Sequence, residues 1–174
     1  MKFYKKILWV LAAALAAVQF IRPEKNATLV PAENNIAQEI LIPAGVDSVL
    51  RRSCYNCHSN NTEYPWYAEV QPAGWWLAGH IRDGKGHLNF DEFANYSLRR
   101  QYHKLEEIQE MVEADKMPLP PYLWMHREDR LSPAEKSAVI NWSIEARKAM
   151  ESKHPADSLR PLPRPQPSAP PQTM

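Results

Sequence analysis

Glycine is scarce in this chain, with five residues in 174. Phosphate-cradling loops and tight hairpins both draw on glycine, so the count disfavours a nucleotide-binding loop and a hairpin-rich fold. Cysteine is scarcer, with two residues, too few for a disulfide-dense scaffold. A surplus of either charge is missing as well: 21 Lys and Arg stand against 20 Asp and Glu. Nucleic acid is therefore not expected as the main partner, because phosphate binding needs a concentrated basic face. Residues 45–152 carry 13 basic and 16 acidic side chains, so no strongly charged docking face is expected there. The length suits one domain with terminal extras. Proline, by contrast, is plentiful at 16, which places much of the chain in loops or at helix starts.

Both ends read as extras. Residues 1–26 form a signal-anchor or transmembrane segment: Lys2, Lys5 and Lys6 precede an uncharged run from Ile7 to Ile21, closed by Arg22 and Pro23. The run is short against the ~20 residues that span hydrocarbon. Adding Phe3 and Tyr4, with Lys5 and Lys6 snorkelling outward, makes a single crossing. Basic residues ahead of the run keep the N-terminus cytoplasmic and send the remainder across the membrane. A signal peptide cleaved among Ala12 to Ala17 is the alternative. The bulky Val18, Gln19, Phe20 and Ile21 offer no small-residue cleavage end and favour the anchor. Residues 27–35 read as a polar linker, 36–152 as the folded domain and 153–174 as a disordered Pro-rich tail.

The domain itself reads as all-α. Val46, Val49 and Leu50 share a helical face leading into Cys54. Pro72 can open a helix carrying Trp75, Trp76, Gly79 and His80 on one broad face. Leu98, Tyr102, Leu105, Ile108 and Val112 recur at helical spacing, opposite Arg99, Arg100, Glu106, Glu107 and Glu110, and that helix is expected to end at Met117 and Pro118. Ser132, Pro133 and Glu135 form a capping signal for a last helix that buries Val139, Ile140, Trp142 and Ile144. Residues 60–69 read as loop, and no period-two strand is evident.

Cys54-Tyr55-Asn56-Cys57-His58 is a C-x-x-C-H motif, the attachment pattern of c-type haem. Two thiols two residues apart can straddle one edge of a porphyrin as thioethers, and the adjoining His then supplies an imidazole nitrogen to the iron. Attachment of this kind needs export, and the N-terminal segment supplies an address that agrees with the motif. A redox disulfide is the first rival, but it expects a thioredoxin-like βαβ pattern that is missing. A zinc site is the second, and it would need ligands beyond His80, His87 or His103 at no familiar spacing.

For the sixth iron position the candidates are Met117, His80, Met125, His126, His87 and His103. Met117 precedes Pro118 in a loop between two helices, so a rigid backbone can aim its thioether inward, and it is the favoured ligand. His80 is the main rival, or else a hydrogen-bond donor to a propionate, as Arg82 could be. His87 and His103 read as exposed. Among Tyr55, Tyr64, Trp66, Trp75, Trp76, Tyr122 and Trp124, aromatic rings can fill a core and line a flat macrocycle at once. Trp75 or Trp76 is expected to touch it.

Residues 54–60, then Tyr64-Pro65-Trp66-Tyr67, Trp75-Trp76-Leu77-Ala78-Gly79-His80, Leu88-Asn89-Phe90 and Met117-Pro118-Leu119-Pro120-Pro121-Tyr122 followed by His126 resemble the bacterial haem-binding domain family of cytochrome c-like proteins. The likeness runs from about Ile36 to Arg147. It implies a small cytochrome c-like helical fold around one covalently attached haem c, with His58 as proximal and Met117 as distal ligand. Members commonly begin with an anchoring segment ending near a sequence like Ile21-Arg22-Pro23, which supports the uncleaved reading.

The expectation is then a non-enzymatic carrier: a membrane-tethered monohaem cytochrome facing the periplasm, passing single electrons between membrane-linked redox proteins. The alternative is a haem-based sensor or ligand-binding module with a displaceable sixth ligand. A peroxidase, with His80 as distal acid-base group, ranks below both.

Overall fold

A computed structural model describes residues 2–28 and 33–160. Among these residues there are seven α-helices and no strand. Their ranges are α1 Lys2–Val18, α2 Ala44–Ser53, α3 Tyr55–His58, α4 Ala73–His87, α5 Leu98–Glu113, α6 Pro133–Lys153 and α7 Ala156–Leu159. Short 3-10 turns punctuate the connections, one of them at Trp66–Glu69 inside the stretch read as loop.

The core forms where apolar stripes meet. Leu105, Ile108 and Val112 of α5 pack with Val139, Trp142, Ala146 and Met150 of α6. Val46, Val49 and Leu50 of α2 join them, with Ile36, Phe90 and Phe93 from the turns. Helix α6 starts as its sequence signal predicts. The Ser132 hydroxyl accepts from the Glu135 backbone N–H, and the Glu135 carboxylate accepts from the Ser132 N–H, closing a capping box. This satisfies donors that a helix N-terminus otherwise leaves unpaired. Ile140 and Ile144 are only half-buried, and Ser143 takes a fully buried place instead.

Helix α5 stops earlier than its sequence suggests. It ends at Glu113, and Asp115 adopts a left-handed backbone with φ 53°. The carbonyl of Met111 then accepts from the N–H groups of both Lys116 and Met117. The chain is turned before proline acts, and Met117 is already held by backbone bonds.

The two outer boundaries also differ from expectation. Residues 153–160 are not tail: α7 packs on α5, Leu159 is buried, and Arg160 donates to Tyr102 and Glu151. The rest of the proposed tail, 161–174, lies outside the described residues, as do 29–32 of the linker. The linker's flanks are docked. Asn26 donates from its backbone to the Tyr64 hydroxyl and from its amide to Ser59 O and Thr62 Oγ1, while Lys85 donates to Asn26 Oδ1. Asn35 caps the turn at Ile36–Gln38 and donates to Asp91.

Helix α1 projects from this body with its apolar side chains exposed. Among the described residues no helix is long and apolar enough to cross a membrane. Its 17 residues measure about 25 Å at 1.5 Å per residue, against ~30 Å of hydrocarbon.

Candidate functional site

The C-x-x-C-H motif is one turn of helix set at the end of α2. The N–H of Cys54 donates to Leu50 O, and the N–H groups of Cys57 and His58 both donate to Cys54 O. Positions three apart share a helical face, and both cysteines line one cavity, as does His58. Tyr55 is used elsewhere: its ring stacks on Phe90 at 4.8 Å and lies under the Arg51 guanidinium. The motif turn is clamped from outside by α4. A Cβ at Gly84 would stand 2.9 Å from Cys57 O and 3.3 Å from Cys57 Cβ. Only glycine lets the two helices approach this closely.

His58 is oriented by a hydrogen bond to the backbone. Its Nδ1 lies 2.9 Å from Leu88 O. A carbonyl only accepts, so Nδ1 carries the proton and Nε2 carries the lone pair. Burial lowers the pKa of this imidazole, its first cause, against smaller raising contributions from backbone hydrogen bonds at Leu88 and Gly84.

The position of Leu88 is itself fixed by a polar lattice. Asn89 Nδ2 donates to Asn60 Oδ1, the Asn60 N–H donates to Asp91 Oδ2, and Asn89 Oδ1 caps the N–H of Asp91. The segment after His58 is thereby tied to the segment after Leu88.

The cavity has a volume of about 450 Å³. Its walls are mainly apolar, including Leu50, Leu77, Ile108, Val112, Leu131 and Val139. Met117, Pro118 and Leu119 close one side from the loop after α5, and Trp76, His80 and His87 contribute from α4. His80 is held like His58, with Nδ1 donating to a carbonyl, here Trp76 O at 2.9 Å. Its ring lies 4.2 Å from that of Trp76.

Cys54 and Cys57 are not joined in a disulfide. Burial pushes the Cys54 thiol up to about 12 and the Cys57 thiol up to about 11. Redox C-x-x-C pairs instead carry a lowered pKa at the attacking sulfur. The sulfurs here sit as neutral thiols in an apolar wall. Among the described residues, no three His, Cys, Asp or Glu side chains converge to hold a metal ion.

Several candidates lie elsewhere. Trp75 is not part of the wall; its Nε1 donates to Ile21 O at 2.7 Å. Met125 and His103 also stand off the cavity, His103 beside Glu106 and Glu107. His126 is occupied: it bonds the Tyr67 hydroxyl at 2.8 Å and stacks on Tyr122 at 4.1 Å. Arg82 is exposed and also outside the wall.

Among the lining residues that were not anticipated are Lys104, Glu107, Met111 and Asp83, together with His87, which the sequence reads as exposed. Lys104 is buried and paired with Glu107. Its place four residues before Ile108 put it on the buried stripe of α5, a signal available in the sequence.

A family model for a haem-binding domain matches residues 13–145. The chain belongs to the haem-binding domain family. No curated protein and no solved structure matches it.

The residues of this haem-binding domain fit that cofactor. A macrocycle is large, flat and mainly apolar, as the cavity wall is. It brings its own four nitrogens to iron, so a protein needs to add only one or two donors. That is what the wall offers, in His58, His80, Met117 and Met111, where a bare metal ion would find no cluster. Lys104, buried and paired with Glu107, adds a polar pair to this mainly apolar wall.

Proposed function

We infer that this haem-binding domain is a monohaem c-type cytochrome with a cytochrome c-like helical fold, and that it transfers single electrons at the periplasmic face of a membrane. The observation that carries the reading is the placing of Cys54, Cys57, His58 and Met117 on the wall of one apolar cavity. Cys54 and Cys57 would hold the macrocycle as two thioethers, each S–H adding across a vinyl arm with no oxidant needed and no leaving group. His58, its Nδ1 engaged by Leu88 O, offers Nε2 as proximal ligand. Met117, held through its N–H by Met111 O, offers the distal sulfur. A haem iron bound there supplies one-electron chemistry at a potential raised by thioether ligation. The chain's own part is to orient the ligands and keep water from the apolar wall.

The N-terminal segment supports a membrane tether. Although α1 alone is too short to cross, Phe20 and Ile21 extend its apolar band, and both are exposed. Membrane-linked redox proteins are the partners proposed, with no enzymatic turnover of the domain's own.

The test is to express the full chain in a host with c-type maturation machinery. Haem that stays with the polypeptide through a denaturing gel, with a far-red sulfur-to-iron band in the ferric spectrum, is the expected result. Haem lost on denaturation would overturn covalent attachment. A high-spin ferric spectrum would move the domain to ligand sensing.

A further inference from the structure

We propose that the segment 66–76 is a membrane-contact surface, so that the haem-binding domain lies against the bilayer instead of swinging on a leash. The proposal rests on the reading of the N-terminal segment as a membrane anchor.

The chain leaving α1 is bolted to this segment. Gln19 Nε2 donates to Gln71 O, and the Gln71 N–H donates back to Gln19 Oε1. Trp75 Nε1 donates to Ile21 O at 2.7 Å. Arg22 and Lys25 both pair with Glu69, and Lys25 also lies over the Tyr64 ring. Asn26 follows with its bonds to Ser59, Thr62 and Tyr64. Every described residue from Gln19 to Asn26 is thus at most a few positions from a tie to the domain.

These ties set depth. The apolar band ends at Ile21, and Arg22 and Lys25 mark where the chain meets headgroups. Trp75 bonds at the level of Ile21, and indoles favour that boundary because the ring is apolar and its N–H is polar. The same segment and the chain bolted to it carry exposed apolar side chains with no core to fill: Val70 is 48% exposed, Trp66 74% and Phe20 88%. Exposed apolar groups next to an inserted helix are covered by the lipid that covers the helix. The neighbouring Trp76 lines the haem cavity, so the surface also holds that cavity near the membrane.

The matured full chain is placed in phosphatidylcholine vesicles doped with a phosphatidylcholine carrying a diazirine near its glycerol. After photolysis, tagged peptides are mapped by mass spectrometry. Tags on residues 3–21 and on 66–76, with none on α6, are expected. Val70→Glu should lower tagging of 66–76 by roughly fivefold or more, because a carboxylate resists burial against lipid, while tagging of 3–21 holds. Tags confined to 3–21 would overturn the contact surface and leave the anchor standing. No tag on 3–21 would overturn the anchor and the proposal with it.

Discussion

The Leu88 carbonyl accepts the Nδ1 proton of His58 at 2.9 Å, and this bond decides which nitrogen faces the cavity. Its strength depends on where Leu88 sits, which Asn89 controls through Asn60 and Asp91. Asn89→Ala removes both side-chain bonds from a buried site. The expected cost is about 1–2 kcal/mol, or a melting point lower by roughly 2–8 °C. The low-spin fraction of the ferric spectrum should fall as well, which a purely structural role of Asn89 would not produce.

Gly84 and Gly79 sit on the same helix and should respond oppositely to alanine. A Cβ at Gly84 meets the Cys57 backbone, whereas one at Gly79 meets nothing within 4 Å. Gly84→Ala should destabilise by about 1–3 kcal/mol through overpacking and lower the yield of haem attached at the neighbouring motif. Gly79→Ala should stabilise by up to about 1 kcal/mol, since glycine weakens a helix interior. Thermal melts of the two variants beside the native protein check the signs.

The contrast between those glycines was invisible in the sequence, and the reason is general to this molecule. Local periodicity announced α2, α5 and α6, because burial of one helical face is written at spacings of three and four. The capping box at Ser132 was legible for the same reason: its partners are three residues apart. What escaped was contact between polar groups far apart in the chain, such as Gln19 with Gln71, Asn26 with Ser59, and Asn60 with Asn89. Leu159 was missed because one apolar residue among prolines shows no period, though it is 2% exposed. Of the wall residues, the C-x-x-C-H triplet stood out through its motif. Met111 lines the cavity while remaining exposed, a double position that no sequence mark announces.

Met117 and His80 can be told apart by substitution. Both line the cavity, and His80 is aligned by its bond to Trp76 O. With Met117 as ligand, Met117→Leu should abolish the far-red ferric band. It should also lower the midpoint potential by roughly 0.1–0.3 V, a fraction of the ~0.8 V over which axial ligands tune haem. His80→Gln should leave band and potential near the native values. A native ferric spectrum without that band, with a potential moved by His80→Gln and not by Met117→Leu in a redox titration with optical detection, would assign the sixth position to His80.

Acid should weaken the fold through the start of α6. The Glu135 carboxyl is held down at about 2, first by the Arg52 guanidinium and then by the backbone and hydroxyl of Ser132. A carboxylate whose folded pKa lies below its unfolded value adds stability that is complete above the unfolded value, near 4.5. That contribution is lost as pH falls toward 2, where both states bind the proton. Glu135→Gln keeps an amide able to serve the capping box but removes the charge facing Arg52. Denaturant midpoints of the native protein should therefore exceed those of Glu135→Gln at pH 6. The two should converge as pH falls from 4.5 to 2. An unchanged gap at pH 2.5 would mean that the carboxylate's charge is not what Arg52 responds to. Added salt at pH 6 should narrow the gap, because both side chains reach solvent and their attraction is screened.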